Sequence, residues 1–102
     1  MLTIKDILKN KVKVVKSTFQ EQDIFIKEFT PKIRQDFIEA ANFSEQQYVV
    51  IYNCLCNEDG SKLFSEEEKE ELKELKPEYI DELFTVIMKN ATGVSDKETA
   101  GN

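Results

Sequence analysis

The side chains that most often carry out catalysis are sparse in this sequence. None of the 102 residues is a histidine, which removes the commonest general base and metal ligand at neutral pH. The two cysteines, Cys54 and Cys56, are too close in sequence for an ordinary structural disulfide, and no histidine is present to share a metal with them. We predict that both are reduced, buried thiols, and that the chain is not an enzyme and has no catalytic residues.

Carboxylates are abundant, but their setting does not favour catalysis. Six of the nine residues from Glu66 to Glu74 are glutamates. The segment has the composition of a solvated helix, and it lacks the apolar surroundings that raise a carboxyl pKa for acid–base chemistry. We therefore interpret it as an exposed acidic helix.

The segment around Gly60 is the one candidate for a metal site. If Gly60 were the sixth residue of a calcium-binding loop, Asn57, Asp59 and Glu66 would occupy ligand positions. The first position would be Leu55, which cannot bind a cation. The three glycines are also too far apart to form a phosphate-binding loop. We predict a tight turn, with no metal and no cofactor.

Charge is distributed unevenly between the two halves of the chain. Residues 1–56 contain eight Lys/Arg and seven Asp/Glu, a net charge of +1, whereas residues 57–102 contain six and thirteen, a net charge of −7. The basic part is too small for a nucleic-acid-binding surface, so we expect no nucleic acid partner. The acidic helix is either a solvated face or the partner of a basic N-terminal segment in a head-to-tail assembly.

Helix signals are clearest in the second half. Glu58 to Ser61 has the composition of a tight turn, and Ser65 with Glu68 forms a capping box that begins a helix at Glu66. Pro77 ends this helix and opens the next one. The next helix has an apolar stripe, and we expect it to stop at Gly93; the stripe consists of Ile80, Leu83, Phe84, Ile87 and Met88.

The first half predicts a short helix and two strands before the helices. Thr3 is the expected cap of a turn that places Ile4, Ile7 and Leu8 on one side. Residues 11–14 and 23–27 have strand composition, and residues 17–22 would join them as a hairpin.

Two further helices are predicted after the hairpin. Thr30 and Pro31 begin a helix that ends near Asn42. A second capping box, Ser44 with Gln47, would then begin a helix that extends through residue 56 and is central to the core.

These elements predict an α+β fold, mainly α, with an N-terminal β-hairpin packed on a bundle of about four helices. We expect one globular domain over residues 1–93, with the short helix and hairpin in 1–29 and the helices in 30–93, followed by a flexible tail over 94–102. No apolar run approaches the roughly 18 residues that span a bilayer, and the first residues do not have the pattern of a signal peptide, so we expect no membrane partner and a cytoplasmic location.

The order of these elements resembles the tail assembly chaperones of long-tailed bacteriophages and prophages. Those proteins open with a Lys-rich segment and two strands, and later contain a D-E-D-G-x-x-L-F-[ST] turn before an acidic helix. The corresponding turn here runs from Asn57 to Ser65, and residues 87–95 are similar to the family's segment at the end of the last helix. The similarity covers most of the chain.

The resemblance implies a non-enzymatic function: binding and solubilising the tape measure protein during tail morphogenesis. It also implies that an extended form recruits the tail tube protein, and that the protein acts in the host bacterial cytoplasm and is absent from the mature virion. We expect a homo-oligomer, and Phe64, Tyr79 and Phe84 are positions that could either pack or bind. The candidate partner-binding residues are Lys11, Lys13, Lys16, Phe64, Glu67, Glu71 and Tyr79.

Two other functions are compatible with the sequence. The net charge of −7 in the second half is typical of a small acidic inhibitor or antitoxin-like regulator that occupies a partner's surface. A structural head–tail connector is the third alternative.

Overall fold

The computed structural model describes residues 1–92, and it confirms an α+β fold that is mainly α. Three strands form one sheet, two from the N-terminal hairpin and one from the middle of the chain, and helices pack against it. The elements are α1 (Ile4–Leu8), β1 (Val14–Phe19), β2 (Gln22–Lys27), α2 (Pro31–Glu39), α3 (Phe43–Cys54), β3 (Leu55–Cys56), α4 (Glu66–Glu71), a 3-10 turn (Leu72–Glu74) and α5 (Pro77–Ala91).

The sheet is antiparallel, in the order β1-β2-β3. The hairpin is longer and tighter than the sequence predicted: β1 begins at Val14, and only Gln20 and Glu21 form the turn, with φ of 50° and 64°. Two consecutive residues with positive φ match the right-handed twist of the strands. The prediction placed β1 too early because neither turn residue is a glycine or asparagine, the types that usually mark such a turn.

The third strand was not predicted. Residues 55 and 56 were expected to continue the preceding helix, but α3 ends at Cys54 and the chain then pairs with β2, Leu55 opposite Ile26 and Cys56 opposite Phe25. The hairpin is thus extended to three strands by a segment from the middle of the chain. This pairing lets Leu55 and Cys56 remain buried after the helix ends.

Most helix starts follow the predicted capping chemistry. The hydroxyls of Thr3, Thr30 and Ser65 accept hydrogen bonds from the N–H groups three residues later. The capping box of Ser65 is complete, because the Glu68 carboxylate accepts from the Ser65 N–H at 2.9 Å. Pro31 and Pro77 stand at the first positions of their helices.

The predicted capping box of Ser44 with Gln47 is wrong. Helix α2 ends at Glu39, and Asn42 is the cap of α3: its Oδ1 accepts from the Glu45 N–H at 2.9 Å. Asparagine caps a helix as well as serine does, so α3 begins two residues before the predicted position. Gln47 is instead buried and faces α5.

The core lies between the sheet, α3 and α5. Val50, Ile51 and Cys54 of α3 are completely buried, as are Ile26 of β2 and Ile87 of α5. Helix α3 is therefore central to the core, as predicted. Of the predicted stripe on α5, Ile80, Leu83 and Ile87 are buried, whereas Phe84 and Met88 are half-buried at its margin.

The end of α5 is fixed to the sheet. The Phe29 N–H, just after β2, donates to the Ala91 carbonyl at 2.9 Å. Helix α5 ends at Ala91; the predicted stop at Gly93 and the predicted tail over 94–102 lie outside the described residues. Within residues 1–92, no helix is long and apolar enough to cross a membrane.

Candidate partner-binding surfaces

An acidic groove lies along α4 and the 3-10 turn. It has a volume of about 150 Å³ and is lined by Phe64, Glu68, Glu71, Leu72 and Leu75. The 3-10 turn brings Leu72 and Leu75 to the same side as Phe64 before Pro77 redirects the chain. Leu72 is buried and forms the floor, whereas Leu75 is 41% exposed.

The two carboxylates of the acidic groove, Glu68 and Glu71, differ in their surroundings. The hydrogen bond from the Ser65 N–H holds the pKa of Glu68 below its ordinary value of 4.5, so the charge of Glu68 is part of the helix cap. Glu71 lies on the exposed surface of α4. The groove therefore combines an apolar floor with negative charge at its rim, which fits an apolar segment that carries positive charge.

Phe64, which lines the acidic groove, forms an aromatic pair with the buried Tyr52. Phe64 is half-buried and packs on Tyr52, with ring centroids 6.3 Å apart. The Tyr52 hydroxyl donates to Glu66 Oε1 at 3.0 Å, and the ammonium groups of Lys69 and Lys62 lie 4.8 and 5.4 Å from the Tyr52 ring centroid. These contacts fix the start of α4 on the core.

A second groove, the hairpin groove, lies between the hairpin tip and α5. It has a volume of about 510 Å³, and its lining residues are Thr18, Phe19, Gln20, Asp81, Glu82, Thr85 and Val86. Tyr79 stands beside it: its ring meets Phe19 edge-on, with centroids 5.3 Å apart, and is 38% exposed. The groove offers apolar contact area together with two carboxylates and a phenol.

The N-terminal apolar segment, Met1–Leu8, is the most exposed apolar stretch among the described residues. Leu2, Ile4, Ile7 and Leu8 are 72%, 76%, 56% and 54% exposed. Helix α1 nevertheless has a complete capping box. The Thr3 hydroxyl accepts from the Asp6 N–H, and the Asp6 carboxylate accepts from the Thr3 N–H. It buries none of its residues.

The three lysines predicted to bind a partner lie between α1 and the hairpin tip. Lys11 lines a groove with Val14 and Gly60. The backbone N–H of Lys13 donates to Glu28 Oε1 at 2.8 Å, and Lys16 on β1 lies 3.5 Å from Asp23 on β2. Their charges are exposed and do not form a single cluster with the aromatic candidates.

The structure brings only some of the predicted site residues together. Phe64 and Glu71 share the acidic groove, whereas Glu67 is exposed on α4 outside its lining, and Tyr79 belongs with the hairpin groove. Phe84 is half-buried and meets Phe43 edge-on, with centroids 5.5 Å apart. The exposed apolar side chains of α1 and Leu75 were not among the candidates, although the spacing of Ile4, Ile7 and Leu8 indicated one apolar side.

The thiols of Cys54 and Cys56 and the carboxylate of Asp59 are held inside the fold or in local hydrogen bonds. Both cysteines are buried and free, and burial raises the pKa of Cys54 to about 12. Asp59 Oδ1 accepts from both the N–H and the hydroxyl of Ser61, which lowers the pKa of Asp59 below its ordinary value of 3.8. Over residues 1–92, no three Cys, Asp or Glu side chains are grouped so that they could hold a metal ion.

The arrangement of the helices and sheet has a counterpart among solved structures. The chain is similar in fold to the tail assembly chaperone of bacteriophage HK97. The two superpose with a TM-score of 0.59 over 91% of this chain and 93% of that one, at 16% sequence identity. The resemblance predicted from the sequence is thus confirmed at the level of the fold. No family model matches the chain, and no curated protein matches its sequence.

Proposed function

We propose that the chain is a tail assembly chaperone of a long-tailed bacteriophage or prophage, which binds the tape measure protein and keeps it soluble during tail morphogenesis. The observation that carries the proposal is the fold shared with the HK97 tail assembly chaperone across nearly the whole of both chains. The turn from Asn57 to Ser65, followed directly by the acidic helix α4, supports it independently.

The surfaces of the molecule are suited to this function. A tape measure protein is a long helical chain, and an amphipathic helix binds by placing its apolar face in a groove. The hairpin groove, with Phe19 and Val86 in its lining and Tyr79 beside it, provides such a site. Asp81 and Glu82 at its edge favour a helix whose polar face carries lysines or arginines.

The function requires no chemistry from the chain. As a chaperone of this kind, the protein would act in the host cytoplasm without catalysis, and an extended form would recruit the tail tube protein. It would leave before the particle is complete. Assembly as a homo-oligomer would present several hairpin grooves to one long partner, which raises the avidity of individually weak contacts.

Co-expression tests the proposal. The chain is produced together with the long coiled-coil-rich protein encoded immediately downstream, and the soluble fraction and a pull-down are assayed. We expect the large protein to become soluble and to co-purify with the wild-type chain, and the double variant Tyr79→Ala with Thr85→Lys to retain less than a fifth of it. Thr85 is exposed, whereas Tyr79 is 38% exposed and packs on Phe19, so urea unfolding of the double variant checks that its fold is retained.

The matched control for this experiment is Ile38→Ala. Ile38 is an apolar residue of α2 that is 63% exposed and lies outside the hairpin groove, so its replacement should leave co-purification unchanged. A large protein that remains insoluble and unbound with the wild-type chain would overturn the proposal. The acidic-inhibitor alternative would then take its place.

A further inference from the structure

We propose that the N-terminal apolar segment of one copy docks into the acidic groove of a second copy, so that the chain assembles head to tail. The two surfaces are Met1–Leu8 on one side and the groove of Phe64, Glu68, Glu71, Leu72 and Leu75 on the other. Neither surface is needed for the proposed binding of a tape measure protein in the hairpin groove.

Helix α1 lacks a packing partner among residues 1–92. A helix of five residues gains almost no stability from propensity alone, so short helices in proteins are stabilised by packing of their apolar side. Helix α1 has a complete capping box and an apolar side, yet none of its residues is buried against the rest of residues 1–92. The three exposed aliphatic side chains of α1, together with Leu2 before it, therefore form an apolar surface suited to a covering partner.

The acidic groove has the size of a single aliphatic side chain. Its volume of about 150 Å³ accommodates one branched aliphatic side chain, such as that of Ile4 or Ile7. Leu75, which lines the groove with Phe64, is 41% exposed and extends the apolar surface at its edge. One aliphatic side chain would fill the groove while a neighbour on α1 covers Leu75.

The charges of the two surfaces favour a second copy of the chain as the partner. Residues 1–13 contain four lysines and one aspartate, a net charge of +3, and residues 66–76 contain six glutamates and three lysines, a net charge of −3. The two surfaces of the same chain are therefore complementary in charge as well as apolar. Pairing of α1 with α1, or of groove with groove, would bring like charges together.

This complementarity determines the geometry of the assembly. A contact between two different surfaces is heterologous, so each copy that docks its segment leaves its own groove available for another. The mass of the assembly should rise with concentration, and it should fall as salt screens the charges.

Two variants test the contact on the purified full chain by light scattering coupled to gel filtration. The segment variant is Ile4→Asp with Ile7→Asp, and the groove variant is Glu71→Lys with Leu75→Asp; all four residues are exposed, so the core is unchanged. We expect the wild type to grow with concentration and each variant alone to remain monomeric. An equimolar mixture should form a heterodimer of twice the monomer mass and grow no further, because one intact segment meets one intact groove.

Ile38→Asp is the matched control, since it places the same charge on an exposed aliphatic position away from both surfaces, and it should assemble like the wild type. A wild type that stays monomeric at every concentration would overturn the proposal. So would a groove variant that still assembles, or a mixture of the two variants that remains monomeric. The Tyr79→Ala with Thr85→Lys variant should assemble normally, which separates self-association from tape measure binding.

Discussion

The side-chain amide of Gln47 donates a hydrogen bond of 2.8 Å to Asp81 Oδ1 and so joins α3 to α5 at the margin of the core. Gln47 is only 5% exposed, and helix α3 carries it into an otherwise apolar contact. A buried amide at this point is tolerated because its donor is satisfied.

Asp81→Ala should destabilise the fold by about 1 kcal/mol, since it removes the acceptor of the buried Gln47 amide, and water that reaches the exposed position of Asp81 offsets part of the loss. Urea unfolding followed by circular dichroism measures the change in the free energy of unfolding. Glu82→Ala, which removes an exposed carboxylate from the next position of α5, is the control and should change stability by less than about 0.5 kcal/mol. Equal effects from the two variants would show that the contact contributes nothing.

Glu68→Gln should flatten the acid dependence of stability. The hydrogen bond from the Ser65 N–H lowers the pKa of Glu68 in the folded state below its ordinary value of 4.5. The ionised carboxylate therefore stabilises the fold above pH 4.5, and this contribution is lost as the pH falls through the folded-state pKa. Thermal unfolding between pH 7 and pH 3 should show a smaller decrease in Tm for the variant than for the wild type.

Glu67→Gln is the control for the acid dependence, because it removes a carboxylate from the same first turn of α4 without disturbing the capping box. Its Tm should decrease with pH as that of the wild type does. If Glu68→Gln also follows the wild type, the cap is not responsible. Asp59, whose pKa is lowered by Ser61, should contribute the remaining dependence in the same direction.

Neither thiol should react rapidly in the folded protein. Burial raises the pKa of Cys54 to about 12, so the reactive thiolate is scarce at pH 8. Cys56 is 5% exposed, and burial raises its pKa as well. Labelling with a chromogenic disulfide reagent should be at least tenfold slower in buffer than in urea, where both thiols react; one thiol that reacts equally fast under both conditions would contradict the buried arrangement.

Gly60→Ala should cost about 1–2 kcal/mol, because Gly60 has φ of +86° and an L-residue is strained there. An added Cβ would also lie 3.3 Å from Val14 Cγ2. Gly60→Asn is the informative comparison, since asparagine adopts this conformation more readily while meeting the same neighbour. We expect the stability order glycine, asparagine, alanine in urea unfolding; equal stability of asparagine and alanine would assign the cost to crowding rather than to φ.

The sequence was sufficient for features that are set by neighbouring residues. Thr30 with Pro31, Ser65 with Glu68, and Pro77 each determine a helix start within one turn, so local chemistry located them. The predicted start of α3 was wrong because two possible capping residues, Asn42 and Ser44, lie within three positions of each other. Local pattern alone does not decide between them.

Features that depend on distant residues could not be predicted. The pairing of Leu55 with Ile26 has no local signature, and it replaces the end of a helix with a strand. Likewise, the spacing of Ile4, Ile7 and Leu8 predicted one apolar side. Whether another part of the chain covers that side cannot be read from the spacing, and within residues 1–92 none does. Phe64 and Glu71 line the same groove only because the 3-10 turn places Leu72 and Leu75 beside them, and their positions in the sequence do not show this.

Helix α4 is much less buried than α3, and we expect α4 to unfold locally more often than α3. Helix α4 buries none of its six residues, whereas α3 contains Val50 and Ile51, which are inaccessible to solvent. Backbone amides of α4 should therefore exchange with deuterium through local fluctuations, and those of α3 only when the whole fold is lost. One wall of the acidic groove can thus adjust to an incoming side chain while its floor, Leu72, stays fixed to the core.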